Sequence, residues 1–537
     1  DFVVPLEARV GMVITSVAAA FVLLIACANV ANLELTRATA RAREIAVMGA
    51  LGASRTRIAR HLLTDSMVVA FLGGILGIVT SVAGTRWYIS LIPVWAPRVE
   101  EVGIDGRVLA FALIVTTLTG IVFGVLPAIR NSLPNLSESL KQGARGVSGS
   151  RSNRLRKVLV VSEVTLALTL LVGSALLVRG FWNLQALDPG WREENVLTFR
   201  LSLPQSEYPD GESVSGFYQR LIQQLEALPS VASAGAISNL PMQSRSNTLY
   251  DVPGQEAPTP QQRPLAEYRL ISHGLLAAMD ITTVRGRNFD QRDRPDTRPV
   301  VIVNQMLADR HWPNEDAIGK QLDFWGETRE IVGVAENTIV YDQVSRPTFY
   351  MSAIQAPRNS MSIVLHTLGE PTALGASVRE EVASLDPNLP LYGMMSMKQV
   401  VSESRQMDTL MAKMMAAIAV VALVLSVAGV YGVISYSVAQ RTREMGIRMA
   451  LGAREGSILG LVLRQGASLT GIGIAIGLLS AALVARGMSL WLFGVSPFDA
   501  VSFGAAVVLL LASGIAASYF PARRVARLDP LKVLRCD

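Results

Sequence analysis

The residue types that carry covalent or phosphate chemistry are present in this 537-residue chain, but not in working spacings. The four histidines, at 61, 273, 311 and 366, are scattered and read as structural. No G-x-x-x-x-G-K-[ST] phosphate loop occurs. The nearest fragment, Gly319-Lys320-Gln321, lacks the spaced glycine and the hydroxyl. G-x-S-x-G, H-E-x-x-H and C-x-x-C are absent too. Catalysis, a metal and a cofactor are therefore not expected, and ATP hydrolysis least of all. The two cysteines, Cys27 and Cys536, lie outside the large polar segment and give it no disulfide framework.

The chemistry that is patterned is recognition, and it is written twice. Arg43, Glu44, Ile45, Met48, Ala50, Leu51, Gly52 and Ala53 recur as Arg443, Glu444, Met445, Arg448, Ala450, Leu451, Gly452 and Ala453, at an offset of 400. Gly73, Gly77 and Arg86 recur at the same offset as Gly473, Gly477 and Arg486, so a whole unit is duplicated. Ile45 with Met48, and Met445 with Met449, share a helix face by their spacing. Gly52 and Gly452 suit a helix end with positive φ. Such a turn offers a compact apolar knob with charged flanks to a soluble partner. The competing reading is an amphipathic helix lying on anionic lipid.

These turns must be positioned by membrane helices. The chain is 50% hydrophobic and only 17% charged, against about 25% in soluble proteins. Apolar runs of membrane length stand at 11–33, 62–91, 108–129, 158–178, 414–438, 459–490 and 500–520, giving about seven spans. Residues 184–408 carry 19 basic and 28 acidic side chains, net −9, whereas the remainder carries net +15. The high pI thus comes from short loops between spans, which points to membrane topology and not to nucleic acid. The positive-inside rule places both turns, the 130–157 connector and the tail in the cytoplasm, and 184–408 outside.

That outer segment reads as a mixed α/β domain. Strands are expected near 195–203, 231–237, 299–303, 330–334, 348–351 and 362–365, and helices near 211–228 and 372–385. Within the membrane, Gly73/Gly77 and Gly473/Gly477 are small-xxx-small pairs that permit close helix approach. Asn29 and Asn32 are expected to hydrogen-bond between helices. Glu163, inside a span, reads as an interfacial side chain paired with Lys157, or as a proton or substrate site.

The order of spans, the Arg-Glu…Ala-Leu-Gly-Ala turns and the closing elements Pro127-Ala128-Ile129-Arg130 and Pro521-Ala522-Arg523-Arg524 resemble the MacB/FtsX-type permeases of ABC transporters, in their duplicated orphan-permease branch. The resemblance implies an α-helical membrane protein with one inserted extracytoplasmic MacB-like core. In that frame 1–11 is the end of a truncated outer domain, and 12–130 is permease unit 1 with its turn at 37–61. A linker follows at 131–157, then the first helix of unit 2 at 158–182 and the core domain at 183–408. Unit 2 continues over 409–522 with its turn at 439–457, and 523–537 is a cytoplasmic tail. The resemblance makes the turns the docking sites of a separate cytoplasmic ABC ATPase in the bacterial inner membrane. It leaves two functions open, export driven by movement of the outer domain, or FtsX-like regulation of an envelope enzyme without transport. A periplasmic or outer-membrane partner would bind through 183–408. Met48 in place of Arg448 makes the two turns related but unequal.

Overall fold

The computed structural model describes residues 6–40, 48, 51, 54–92, 99–131, 149–186, 188–255, 263–341, 344–451, 453–489, 492 and 494–526. The chain forms two compact units, Asp1–Gln185 with Met407–Asp537, and Ala186–Gln406.

Among the described residues the first unit is helical: α1 (Leu6–Ala40), α2 (Arg55–Leu91), α3 (Gly106–Asn131) and α4 (Gly149–Gln185). After the outer domain, whose short helices are α5 to α9, it resumes with α10 (Gln406–Gln440), α11 (Thr442–Ala450), α12 (Glu455–Gly487) and α13 (Ala500–Ala526). Among the described residues six helices are long and apolar enough to cross a membrane, the segments being Gly11–Arg37, Leu63–Leu91, Arg154–Asn183, Gln406–Gln440, Glu455–Gly487 and Ala500–Val525. Of the seven spans expected, the one at 108–129 is α3. It is helical through 26 residues, and its apolar stretch is Gly106–Ile121 among the described residues.

The helix α4 is the hub of this unit. Its membrane window is half buried, more than any other span, whereas that of α2 is wholly unburied. The reason lies in small residues and hydroxyls. A Cβ built on Gly473 would lie 2.6 Å from Val164 Cβ, and one on Gly477 would lie 2.9 Å from Leu168 Cδ2, so α12 lies directly against α4. Thr165 Oγ1 donates to the Gly473 carbonyl at 3.1 Å, and the Thr169 and Ser480 hydroxyls meet at 2.6 Å. Ser174 donates to the Met415 carbonyl of α10 at 3.0 Å. Arg156 donates to the Leu35 carbonyl of α1 at 2.7 Å and lies 3.9 Å above the Tyr436 ring. At the other end, Arg179 donates to Asp499 at 2.6 Å, and Asp499 also accepts from the Ser502 amide at the start of α13.

Glu163 departs from expectation. It is fully buried and accepts from Asn32 Nδ2 at 3.1 Å, while Lys157 stays exposed. Six residues turn a helix by about 240°, so the two side chains leave α4 on different faces. Asn29 Nδ2 donates to the Leu425 carbonyl of α10 at 2.8 Å. Both asparagines thus bond between helices. Such bonds contribute about 0.6 kcal/mol on average in membranes.

The second unit contains α5 (Gly211–Glu226), α6 (Leu275–Ala278), α7 (Gln305–His311), α8 (Gly375–Leu385) and α9 (Met397–Ser404). Its thirteen described strands are β1 (Val196–Ser202), β2 (Val231–Ile237), β3 (Asn247–Leu249), β4 (Leu265–Ile271), β5 (Thr283–Gly286), β6 (Val300–Asn304), β7 (Gln321–Phe324), β8 (Glu327–Ala335), β9 (Ile339–Tyr341), β10 (Val344–Ser345), β11 (Thr348–Ser352), β12 (Ser360–Thr367) and β13 (Tyr392–Ser396). The main sheet runs β13-β1-β12-β2-β4-β11-β6-β8-β5, with β3 beside β4 and β7 beside β8. The unit β1-α5-β2 is split, because β12 inserts antiparallel between its strands. Asp210 caps α5, accepting from the Ser213 amide at 2.8 Å. Phe217, Leu221 and Leu225 then recur at one-turn spacing and are buried with Phe199, Ile363 and Leu365 of the sheet.

Two histidines of this unit, His311 and His366, bond to neighbouring side chains. His311 Nε2 lies 2.7 Å from the Tyr250 hydroxyl, and its Nδ1 lies 3.2 Å from Gln255 Oε1, a pairing that suits the neutral ring. Burial, then Arg310, holds His311 below the ordinary value of 6.5; burial, then Arg192, does the same for His366. A depressed histidine binds its proton more readily in the unfolded chain. The stability it contributes is therefore present above the unfolded value and lost as pH falls from there through the lowered folded value. The melting temperature of the outer domain should therefore fall as pH drops below about 6.5, and His311→Gln should flatten that dependence.

Candidate functional site: two repeated turns

The second turn is described almost completely. The helix α10 ends at Gln440, and α11 restarts after Arg441, whose backbone has left the helical region. The amide of Leu451 returns to the Ile447 carbonyl at 3.0 Å, and that of Ala453 returns to Arg448 at 2.9 Å, closing the turn before α12. Glu444 and Arg448 pair at 2.6 Å across one turn of α11. The pair is half exposed and worth about 0.3–0.5 kcal/mol, so it fixes charge placement more than stability.

Met445 and Met449 do share a face, but that face turns inward. Met445 is buried in the bundle core and Met449 packs against it. The outward face instead presents Glu444, Ile447, Arg448, Ala450 and Leu451, with Ala453 partly covered and Leu451 84% exposed. Ile447 was missed by sequence reading. Its signal is the four-residue spacing to Leu451, which places both on one stripe. Arg443 is helical, and Gly452 lies outside the described residues.

In the first turn Met48 is helical and partly covered, and Leu51 is 83% exposed. Ser54 then caps α2 by accepting from the Arg57 amide. Arg43, Glu44, Ile45, Ala50, Gly52 and Ala53 lie outside the described residues. The two copies thus agree on one property, an almost naked leucine at the same repeat position. They differ at Met48 and Arg448, where only the second copy carries a cation.

The glycine pairs differ in their surroundings. Gly473 and Gly477 meet α4, as described above, whereas a Cβ on Gly73 or Gly77 would meet nothing within 4 Å. Among the described residues no group of three or more His, Cys, Asp and Glu side chains suits a metal ion.

A bundle of apolar helices built on an internal repeat, with an α/β domain inserted after the first helix of the second copy, defines a duplicated multi-span membrane protein. Comparison with known proteins gives its family. The FtsX-like permease C-terminal model matches residues 16–132 and again 416–530, and the MacB-like periplasmic core domain model matches 158–384. The chain belongs to the MacB/FtsX-type ABC transporter permeases, multi-pass proteins of the inner membrane with a large extracytoplasmic domain. An uncharacterized ABC transporter permease of Bacillus subtilis, YknZ, is 26% identical over 283 residues, covering 50% of this chain and 69% of that protein. The macrolide export ATP-binding/permease protein MacB of Hahella chejuensis is 28% identical over 270 residues, covering 47% of this chain and 40% of that protein. The chain therefore spans about two thirds of the Bacillus relative and two fifths of the MacB relative. Among solved structures, the periplasmic region of MacB from Actinobacillus actinomycetemcomitans aligns over 40% of this chain and 93% of its own, at 14% identity and a TM-score of 0.28.

Proposed function

We propose that this permease couples ATP hydrolysis by a separate cytoplasmic ATPase to movement of its extracytoplasmic domain, and that the movement drives export. The observation that carries the reading is the pair Leu51 and Leu451, 83% and 84% exposed at equivalent turns of the repeat. A large aliphatic side chain held this far into water on a tight turn loses hydration free energy only when a partner covers it. These 537 residues carry no phosphate loop, so the energy source of this reading lies outside them. The export direction draws on the MacB relative, whose name assigns it macrolide export.

The docking surface is Ile447, Leu451 and the Glu444–Arg448 pair, with Leu51 and Met48 on the first turn. We assign the rest of the repeated motif, Arg43, Glu44, Ile45, Ala50, Gly52, Ala53, Arg443, Met445, Ala450, Gly452 and Ala453, to the same coupling role. On the other side we assign a periplasmic or outer-membrane partner to the outer domain. Leu249 and Leu265 face each other across β3 and β4, and Trp325 bonds to Thr248 beside them; all three are exposed. Co-purification tests the inner contact. Leu51→Asp with Leu451→Asp should reduce ATPase capture and stimulation at least tenfold while membrane insertion is kept. Unchanged capture and stimulation would defeat the assignment. If the ATPase still binds and the outer domain retains an envelope hydrolase without export, the regulatory function replaces transport.

A further inference from the structure

The buried carboxyl of Glu163 sits where the two copies of the repeat meet. It belongs to α4, the first helix of the second unit. Its Oε1 accepts from Asn32 on α1, at 3.1 Å. Its Oε2 is buried without a hydrogen-bond partner and points at Gly429 on α10, where any Cβ would overlap it. Asn29 Oδ1 lies 2.9 Å from that same Cβ position, and Asn29 Nδ2 donates to the Leu425 carbonyl of α10 at 2.8 Å. Four residues from three helices therefore converge on one point. The helices they join are not arbitrary. α1 ends at Ala40, just ahead of the first turn, and α10 ends at Gln440, just ahead of the second.

We infer that Glu163, Asn32, Asn29 and Gly429 form an interhelical joint that makes α1 and α10 move as one body, and so keeps the two turns at a fixed separation. Glu163 is a positioning residue here, acting on turns it does not touch. A polar group buried among apolar helices is restrained because leaving its amide donor strands both groups in hydrocarbon. Gly429 is required for a different reason. Only the absence of a side chain lets α10 approach close enough for Asn29 to reach the Leu425 carbonyl. The inference depends on the coupling reading only for what the turns dock onto; the joint itself stands without an ATPase.

The test measures turn separation with no ATPase present. Spin labels at Leu51→Cys and Leu451→Cys, in a Cys27→Ser/Cys536→Ser background reconstituted in nanodiscs, report it by pulsed dipolar spectroscopy. The parent should give one narrow distance distribution. Glu163→Gln should keep it, since the amide still accepts from Asn32 and adds a donor toward Asn29. Glu163→Leu and Gly429→Ala should each broaden it at least twofold. A Gly429→Ala or Glu163→Leu distribution as narrow as the parent, or a Glu163→Gln distribution as broad as Glu163→Leu, would overturn the joint. The expected widths from a chain that captures no ATPase would count against the coupling reading alone.

Discussion

Replacing Glu267 with alanine is expected to destabilise the outer domain by about 3–5 kcal/mol, the range for removing one partner of a buried ion pair. Glu267 and Arg269 are 2% and 1% exposed on β4, near the middle of the sheet. Glu267 Oε2 lies 3.8 Å from the Arg269 guanidinium and accepts from the Ser246 amide at 3.2 Å, while Oε1 meets Arg245 at 3.4 Å. Burial works against the Arg269 charge, and Glu267 is what supports it. Without the carboxylate, a buried guanidinium keeps only the Tyr268 and Ser244 carbonyls. Hydrogen exchange of the β4 and β11 amides should accelerate accordingly. Glu267→Leu with Arg269→Met should cost far less than Glu267→Ala, because no uncompensated charge is left.

The second large effect is in the bundle. Gly473→Ala and Gly477→Ala should each cost about 1–3 kcal/mol, as overpacking does. At Gly473 the added methyl meets Val164 Cβ and the Val161 carbonyl at 3.1 Å. At Gly477 it meets Leu168 and, at 3.3 Å, Thr165 Cα. Backbone and Cβ atoms cannot rotate away, so α12 must move off α4 and the Thr165 bond to the Gly473 carbonyl lengthens. In this chain Gly73→Ala and Gly77→Ala open onto free space and should be neutral or slightly stabilising, by less than about 1 kcal/mol of helix propensity. Thermal unfolding in detergent compares the four variants. An equal drop at both pairs would contradict the packing described.

Much of the fold is legible in the chain because membrane helices announce themselves by length and apolarity. The spans, the repeat and the inserted α/β domain follow from charge counts and hydropathy. β1, β2, β6, β8, β11 and β12 follow from apolar runs. What escapes is instructive. The central strand β4 reads Leu265-Ala266-Glu267-Tyr268-Arg269-Leu270-Ile271, and two charges in a buried strand hide it, since pattern cannot show that they neutralise each other. The hairpin joining β7 to β8 turns through Trp325 and Gly326, both at positive φ, and a tryptophan there carries no turn signal. At the candidate site, spacing placed Met445 and Met449 on one face, but only packing decides which way that face points. Glu163 was misplaced for a similar reason. Its nearest cation in sequence sits on another side of the helix, and its true partner is 131 residues away.

The central claim is that the two naked leucines are covered by an ATPase. Photocrosslinking from a benzoylphenylalanine placed at Leu51 or at Leu451 in native membranes tests it most directly. The expected result is a covalent adduct with a nucleotide-binding subunit from both positions, with unequal yields because only the second turn carries the Glu444–Arg448 pair beside Leu451. Lipid adducts alone from both positions would contradict the account and return the turns to the membrane surface.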